Sequence, residues 1–206
     1  MTSDAELLYA WRDGNARAGE ELFARYYPLI DRFFSNKVSE DPGDLIQKTL
    51  EACVQGRDRI DEGRSFRSYL FAIAYNVLRR YLRERYQCRE QELSSRSIHD
   101  IAPGPSTLMA ESEQTRLLAL ALRRLPLKLQ VVLELRYWED MSSPEIESML
   151  GTNASTVRTL LRRGRKQLSE VLGEVNARPE ILEDTVSNLD AWVEKLRAEL
   201  RKKESG

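Results

Sequence analysis

The chain has 206 residues, with 32 Lys and Arg against 33 Asp and Glu and a formal net charge of −1. Hydrophobic residues make up 41% and charged residues 32%, which excludes a fully disordered chain and favours one rich in surface helix. Only 10 Gly and 7 Pro argue against a turn-dense all-β fold, and no apolar run reaches the ~20 residues of a membrane span.

In chain order the periodicity is helical nearly throughout. The acidic start, MTSDAELLYAWRDG, has no basic segment leading into an apolar core, so no signal peptide is expected. Leu7, Leu8 and Trp11 predict a short helix capped by Ser3 or Asp4. Leu22, Phe23, Tyr26, Leu29, Ile30, Phe33 and Phe34 recur at threes and fours and predict a long amphipathic helix. A third helix is expected to begin near Asp41 and Pro42, to carry Leu45, Ile46, Leu50 and Val54 inward, and to stop at Gly56. The polar stretch RDRIDEGR reads as a loop. From Ser65 to about Gln87 a fourth helix carries Phe66, Tyr69, Leu70, Ile73, Ala74, Val77, Leu78, Tyr81 and Leu82 on one broad face. These four helices share one core and form a first domain, 1–90. The Pro, Gly and Ser content of 91–107 reads as a flexible linker. His99 lies in it, and a lone His there reads as solvated.

The second domain, 108–172, has a helix over Leu117, Leu118, Leu120, Ala121 and Leu125 that Pro126 stops, and another over 127–138. Ser142, Pro144 and Glu145 supply a cap, an early proline and an early acid for the next helix, which ends at Gly151. Asn153 or Ser155 caps a further helix with Val157, Leu160, Leu161 and Leu168 inward. A short helix, a Gly-containing turn and a longer basic helix form a helix-turn-helix pattern. Its second helix can offer Ser155, Thr156, Arg158, Thr159 and Arg162 to base edges in the major groove. Arg163, Arg165 and Lys166 come later and suit phosphates.

The neutral net charge hides two basic clusters. One holds Arg79, Arg80, Arg83, Arg85 and Arg89, and the other Arg158, Arg162, Arg163, Arg165 and Lys166. Two separated stripes point to two contacts with a polyanion. Solvated Arg-bearing helix faces are the plainer account of the same charges. Two Cys and a single His make no disulfide framework and leave few zinc ligands, so neither metal nor cofactor is expected. Cys53, on an apolar face, reads as core. The chain reads as soluble, cytoplasmic and reduced.

LRRLPLKLQVVLELRYWEDMSSPEIESMLGTNASTVRTLLRRGRKQL resembles region 4 of the sigma-70-type RNA polymerase sigma factors. GDLIQKTLEACVQ followed by FRSYLFAIAYNVLRRYLRER resembles region 2. Their order and short linker resemble the extracytoplasmic-function group, over roughly residues 5–172. The resemblance implies an all-α fold of two small helical domains and no catalysis by the chain itself. It implies core RNA polymerase (β′ clamp helices and β flap) and promoter DNA as partners, and leaves an anti-sigma factor open. Residue by residue, it assigns Asp44, Leu45, Gln47, Lys48 and Glu51 to polymerase docking. Ile60, Gly63 and Arg64 fall in the loop resembling a pocket for a base flipped from the −10 element. Asn76 helps read that element, with Arg79, Arg80 and Arg83 beside it. Phe66, Tyr69 and Phe71 read as core rather than stacking platforms. The helix-turn-helix residues go to the −35 element. Tyr69 stands where the family usually has Trp.

A helix-turn-helix regulator acting without polymerase is the alternative, and the polar stripe over 44–51 argues against it. An enzyme is disfavoured by the lack of a Gly-rich phosphate loop, a paired nucleophile or metal-ligand spacing. The extension 173–206 lies beyond the resemblance. Leu182, Val186, Leu189, Val193, Leu196 and Leu200 follow a heptad spacing, with Pro179 and Glu180 suited to a helix start. It is expected to form a regulatory helix docking on its own domains.

Overall fold

The structure is a computed structural model that describes residues 2–60, 65–87, 89, 96–101 and 113–175. Gly63, Arg64, Cys88 and the whole candidate docking helix from Pro179 onward lie outside the described residues. Among those described there is no β-strand, and one isolated antiparallel bridge joins Ser97 to Pro126.

Helix α1 spans Asp4–Arg12 and starts in a full capping box, with Ser3 and Glu6 each accepting from the other's backbone. Helix α2, Ala16–Ser35, is capped by Asn15 and buries Leu22, Tyr26, Ile30, Phe33 and Phe34. Helix α3, Gly43–Gly56, starts behind Pro42 and runs on into a 3-10 turn, Arg57–Arg59. Helix α4, Phe66–Tyr86, is capped by Ser65 and closed by Gln87 in the left-handed region. Edge-to-face contacts among Trp11, Phe23, Tyr26 and Phe66 tie α1, α2 and α4 together.

The 96–101 stretch of the expected linker is ordered into a short helix, α5, Ile98–Ile101, whose two isoleucines are buried in the main core. Their three-residue spacing gives even one helical turn an apolar side, so this part of the connection is anchored. His99 is exposed on it. Helices α6, Glu113–Arg123, and α7, Leu127–Tyr137, follow. Helix α8, Ser143–Leu150, has a capping box from Ser142 and Glu145 and ends on Gly151 at φ 60°. That positive φ suits a residue without Cβ. Helix α9, Ala154–Val175, is the longest, and the Asn153 side chain accepts from the Thr156 amide at its start.

Two apolar clusters hold these helices. A small one joins α6, α7 and α9 through Leu118, Leu122, Leu129, Leu133, Leu168 and Leu172. The larger one contains Phe33, Phe34, Phe71 and Leu78 of the first half and also Val131, Leu135, Met141, Ile146 and Val157 of the second. One core therefore runs through both halves, where the sequence pattern predicted a separate core for the first. α8 lies directly on α4, and α9 packs on α6, α7 and α8.

Candidate functional site

The polar stripe on α3 is built by helix geometry. Steps of three and four residues bring Asp44, Gln47, Lys48 and Glu51 onto one outer face. Lys48 Nζ donates to Asp44 at 2.6 Å, and Gln47 Nε2 to Glu51 at 2.8 Å. Leu45 does not belong to this face. Its side chain is buried, and the inner face carries Leu45, Ile46, Thr49 and Cys53. Cys53 is wholly enclosed, and burial pushes its thiol up to about 12. Val54, expected inside, is 47% exposed. It lines an open groove of about 570 Å³ with Phe23, Tyr27, Ile46, Gln47 and Leu50. Tyr27 is 50% exposed at its edge. Sequence reasoning missed this apolar groove beside the polar stripe. Its signal was the spacing of Gln47, Leu50 and Val54, which puts apolar and polar groups on one helix side.

Ile60 likewise lies inside the core, at 2% exposure. Arg12 Nη1 donates to its carbonyl at 3.3 Å. Its side chain sets the root of the loop and is closed to a base from outside. Phe66 and Phe71 are buried in the core, as expected. Tyr69 is half-buried, and a Cβ added at Gly56 would lie 2.2 Å from its hydroxyl. A side chain at position 56 would therefore displace the Tyr69 hydroxyl from the end of α3.

On α4, Asn76, Arg80 and Arg83 are exposed and Arg79 half-buried. The Arg79 guanidinium stands 5.4 Å from the Tyr75 ring centroid. Arg80 is paired with Glu84 at 2.7 Å and Arg85 with Glu40 at 2.6 Å, both at the surface. Asn76, Arg79, Arg80 and Arg83 share an outward face of one helix and make a polar and cationic strip, while Arg85 lies on the opposite side.

On α9 the geometry follows the helix-turn-helix expectation. Val157 and Leu168 are buried, while Ser155, Arg158, Thr159, Arg162, Arg163 and Lys166 are exposed. Thr156 and Arg165 are half-buried. Thr159 Oγ1 donates back to the Ser155 carbonyl at 2.9 Å. Gly164 turns inward, where an added Cβ would sit 3.1 Å from Leu133 Cγ. The glycine lets α9 lie close against α7 and so sets the height of the basic face.

Sequence reasoning also missed a set of charges between the two halves. The Lys37 ammonium, fully enclosed, donates to the Phe33 carbonyl at 2.7 Å and to Glu134. Burial pushes that ammonium below its ordinary value, and Glu134 opposes the shift. Asn36 and Gln130 also donate to Glu134, and Arg123 Nη1 donates to the Asn36 carbonyl at 2.9 Å. Arg32 reaches Glu139 at 2.8 Å. Burial raises the Glu139 carboxyl, while Arg32 pulls it back. Arg67 holds Glu145 by its Nε and Nη2 and the Glu139 carbonyl by Nη1, at 2.8 to 3.1 Å.

The family descriptions "Sigma-70 region 2" and "Sigma-70, region 4" match residues 22–87 and 115–168. The RNA polymerase sigma factor CarQ of Myxococcus xanthus is 31% identical over 169 residues, covering 80% of this chain and 95% of CarQ. The chain belongs to the extracytoplasmic-function group of sigma-70 factors. As a sigma factor it binds core RNA polymerase and directs promoter recognition and the start of transcription. CnrH of Cupriavidus metallidurans, another RNA polymerase sigma factor, is 29% identical over 182 residues, covering 82% of this sigma factor and 95% of CnrH. The solved structure of CnrH with the cytosolic domain of CnrY matches at TM-score 0.60 and 27% identity, covering 83% of this chain and 97% of that one. The sigma factor RpoE, solved with the anti-sigma factor NepR from Bartonella quintana, shares the fold at TM-score 0.58, with 20% identity over 75% of this chain and 96% of that one. No helix among the described residues of this sigma factor is long and apolar enough to cross a membrane.

Proposed function

We propose that the outer face of α3 is the polymerase docking site and that α4 and α9 are the two promoter readers. Asp44, Gln47, Lys48 and Glu51 meet the β′ clamp helices, and the apolar groove beside them takes a side chain of the partner. Leu45 acts from inside, by holding α3 in place. Asn76, Arg79, Arg80 and Arg83 meet the −10 element. Gly63 and Arg64 contribute to the same element, and the buried Ile60 anchors the chain just before them. Extruding a base costs a few kcal/mol, which phosphate contacts from this cationic strip help offset. Ser155, Thr156, Arg158, Thr159 and Arg162 read the −35 element, while Arg163, Arg165 and Lys166 hold phosphates. The functional units are 1–90, the connection 91–107, and 108–172, the last also meeting the β flap. The extension 173–206 is regulatory. The chain works in the cytoplasm, catalyses nothing itself, and takes an anti-sigma factor as RpoE takes NepR.

The observation that carries this reading is the exposed α3 stripe beside an open apolar groove. A regulator that bound only DNA would have no use for it. Replacing Asp44 and Gln47 together by Ala is expected to weaken co-purification with core polymerase at least tenfold, with the helical circular dichroism unchanged. Undiminished co-purification would remove α3 as the docking site.

A further inference from the structure

We propose that residues 189–200 of this chain dock in the apolar groove between α2 and α3 and there compete with core polymerase. This rests on the assignment of the α3 face to polymerase docking. Among the described residues, Tyr9, Tyr27 and Val54 are the large apolar side chains that stand exposed, and two of these three line the one groove. Phe23 and Tyr27 of α2 form one wall, and Ile46, Leu50 and Val54 of α3 form the other. Steps of four residues run each wall along its helix, a shape that receives the apolar side of a third helix. From Gly43 to Gln55 the α3 wall rises by about 18 Å, at roughly 1.5 Å per residue.

Residues 176–206 continue from α9 and lie outside the described residues. Their second half fits the groove in length, spacing and charge. Leu189, Val193, Leu196 and Leu200 recur at four, three and four, a spacing that predicts one apolar helix side about 17 Å long, equal to the α3 wall. Lys195, Arg197, Arg201, Lys202 and Lys203 surround the single acid Glu199 in this half, whereas 180–190 carries Glu180, Glu183, Asp184 and Asp190 and no Lys or Arg. The exposed rim of the groove is acidic, with Glu20 on α2 and Asp44 and Glu51 on α3 against Lys48. It attracts the basic half of the segment and repels the acidic half. The stretch from Val175 to Leu189 reaches up to about 46 Å when extended, close to the roughly 43 Å diameter of a packed chain of this length. Such a tether sets an effective concentration on the order of millimolar, which favours the chain's own segment over a second copy. Gln47 and Glu51 line the groove and also belong to the docking stripe, so a docked segment and polymerase exclude each other.

The test uses the full chain with Trp192 replaced by photoreactive benzoylphenylalanine. Trp192 stands three residues after Leu189 and four before Leu196, beside the apolar side. Irradiation of the free protein is expected to join it to peptides of α2 and α3 within the same chain, located by mass spectrometry. Val193→Glu combined with Leu196→Glu is expected to abolish that crosslink and to tighten core polymerase binding threefold to tenfold. If this variant loses the wild-type melt, Arg201→Glu with Lys202→Glu, which keeps the apolar side, carries the same expectation. A crosslink to any other element, a crosslinked dimer in which a second copy fills the groove, or no crosslink overturns the proposal. So does a crosslink that survives both variants. A crosslink to α2 and α3 that the variants abolish without any change in polymerase affinity instead overturns the assignment of α3 beneath the proposal.

Discussion

Arg67 and Glu145 meet through three hydrogen bonds across the seam between the two halves, and the same carboxylate accepts from the Ser142 amide and hydroxyl to close the α8 capping box. One side chain thus starts the first helix of the helix-turn-helix and ties it to α4. The two tasks can be separated, because Gln serves in a capping box as well as Glu. Glu145→Ala is expected to lower stability by about 2 kcal/mol, from loss of the reciprocal cap and of a partly buried pair. Glu145→Gln is expected to cost under about 1 kcal/mol, since the cap survives. Urea unfolding followed by circular dichroism separates the two, and equal losses would show that the cap contributes nothing.

The same carboxyl has a pH signature. Burial pushes Glu145 up, but hydrogen bonds from Arg67 and Ser142 outweigh this and hold it below its ordinary 4.5. A carboxyl depressed in the folded state adds stability that is full above its unfolded value and is lost as pH falls through the folded one. The wild-type melting temperature is expected to fall more steeply below pH 4.5 than that of Glu145→Gln. Parallel profiles for the two proteins would contradict this.

Lys37→Met leaves Glu134 enclosed with only amide donors. Removing one partner of a buried pair costs about 3–5 kcal/mol, whereas replacing both by apolar groups of similar size is often neutral. The double variant with Glu134→Leu is therefore expected to recover most of the loss in guanidinium unfolding. Failure to recover would mean that Asn36 and Gln130, not the ion pair, dominate the site.

Gly164 faces the fully buried Leu133 side chain, whose Cγ an added Cβ would meet at 3.1 Å. Gly164→Val is expected to cost about 1–3 kcal/mol by overpacking. It should also weaken −35 binding by tilting α9 outward. Thermal melts and promoter binding, measured together, check both.

Arg162 and Arg165 differ in exposure on α9 and are expected to differ in kind. Loss of a specific base contact by Arg162→Ala costs about 1–3 kcal/mol and relaxes one position of the −35 element. Arg165→Ala weakens all sequences alike and lowers the salt dependence by about one ion. Run-off transcription across a library of −35 variants decides, and a uniform effect of Arg162→Ala would make it a phosphate contact.

Local rules were enough for the helices. Ser3 and Ser142 as caps and Gly151 as a stop are short-range chemistry, and each stands where expected. The basic face of α9 follows from the same periodicity. Other features depend on contacts far along the chain. Val54 fits an inward or an outward face equally well by spacing, and only the neighbouring helices decide. Leu45 and Ile60 match motif positions yet face the core. The seam was hidden because its partners lie far apart in sequence. Its only local trace is a Lys after FFSN and a Glu inside VVLEL, charges set in apolar surroundings that demand a partner.

The Lys37 to Glu134 pair spans 97 residues, which gives it a place in time as well as space. A ribosome adding about 5–20 residues per second needs roughly 5–20 s to make that stretch. Until then the nascent first half has Phe33, Phe34 and Lys37 without the helices that later enclose them, while α3 is already complete. Every newly made molecule thus passes through an interval in which α3 is complete and Lys37 is still without its carboxylate partner.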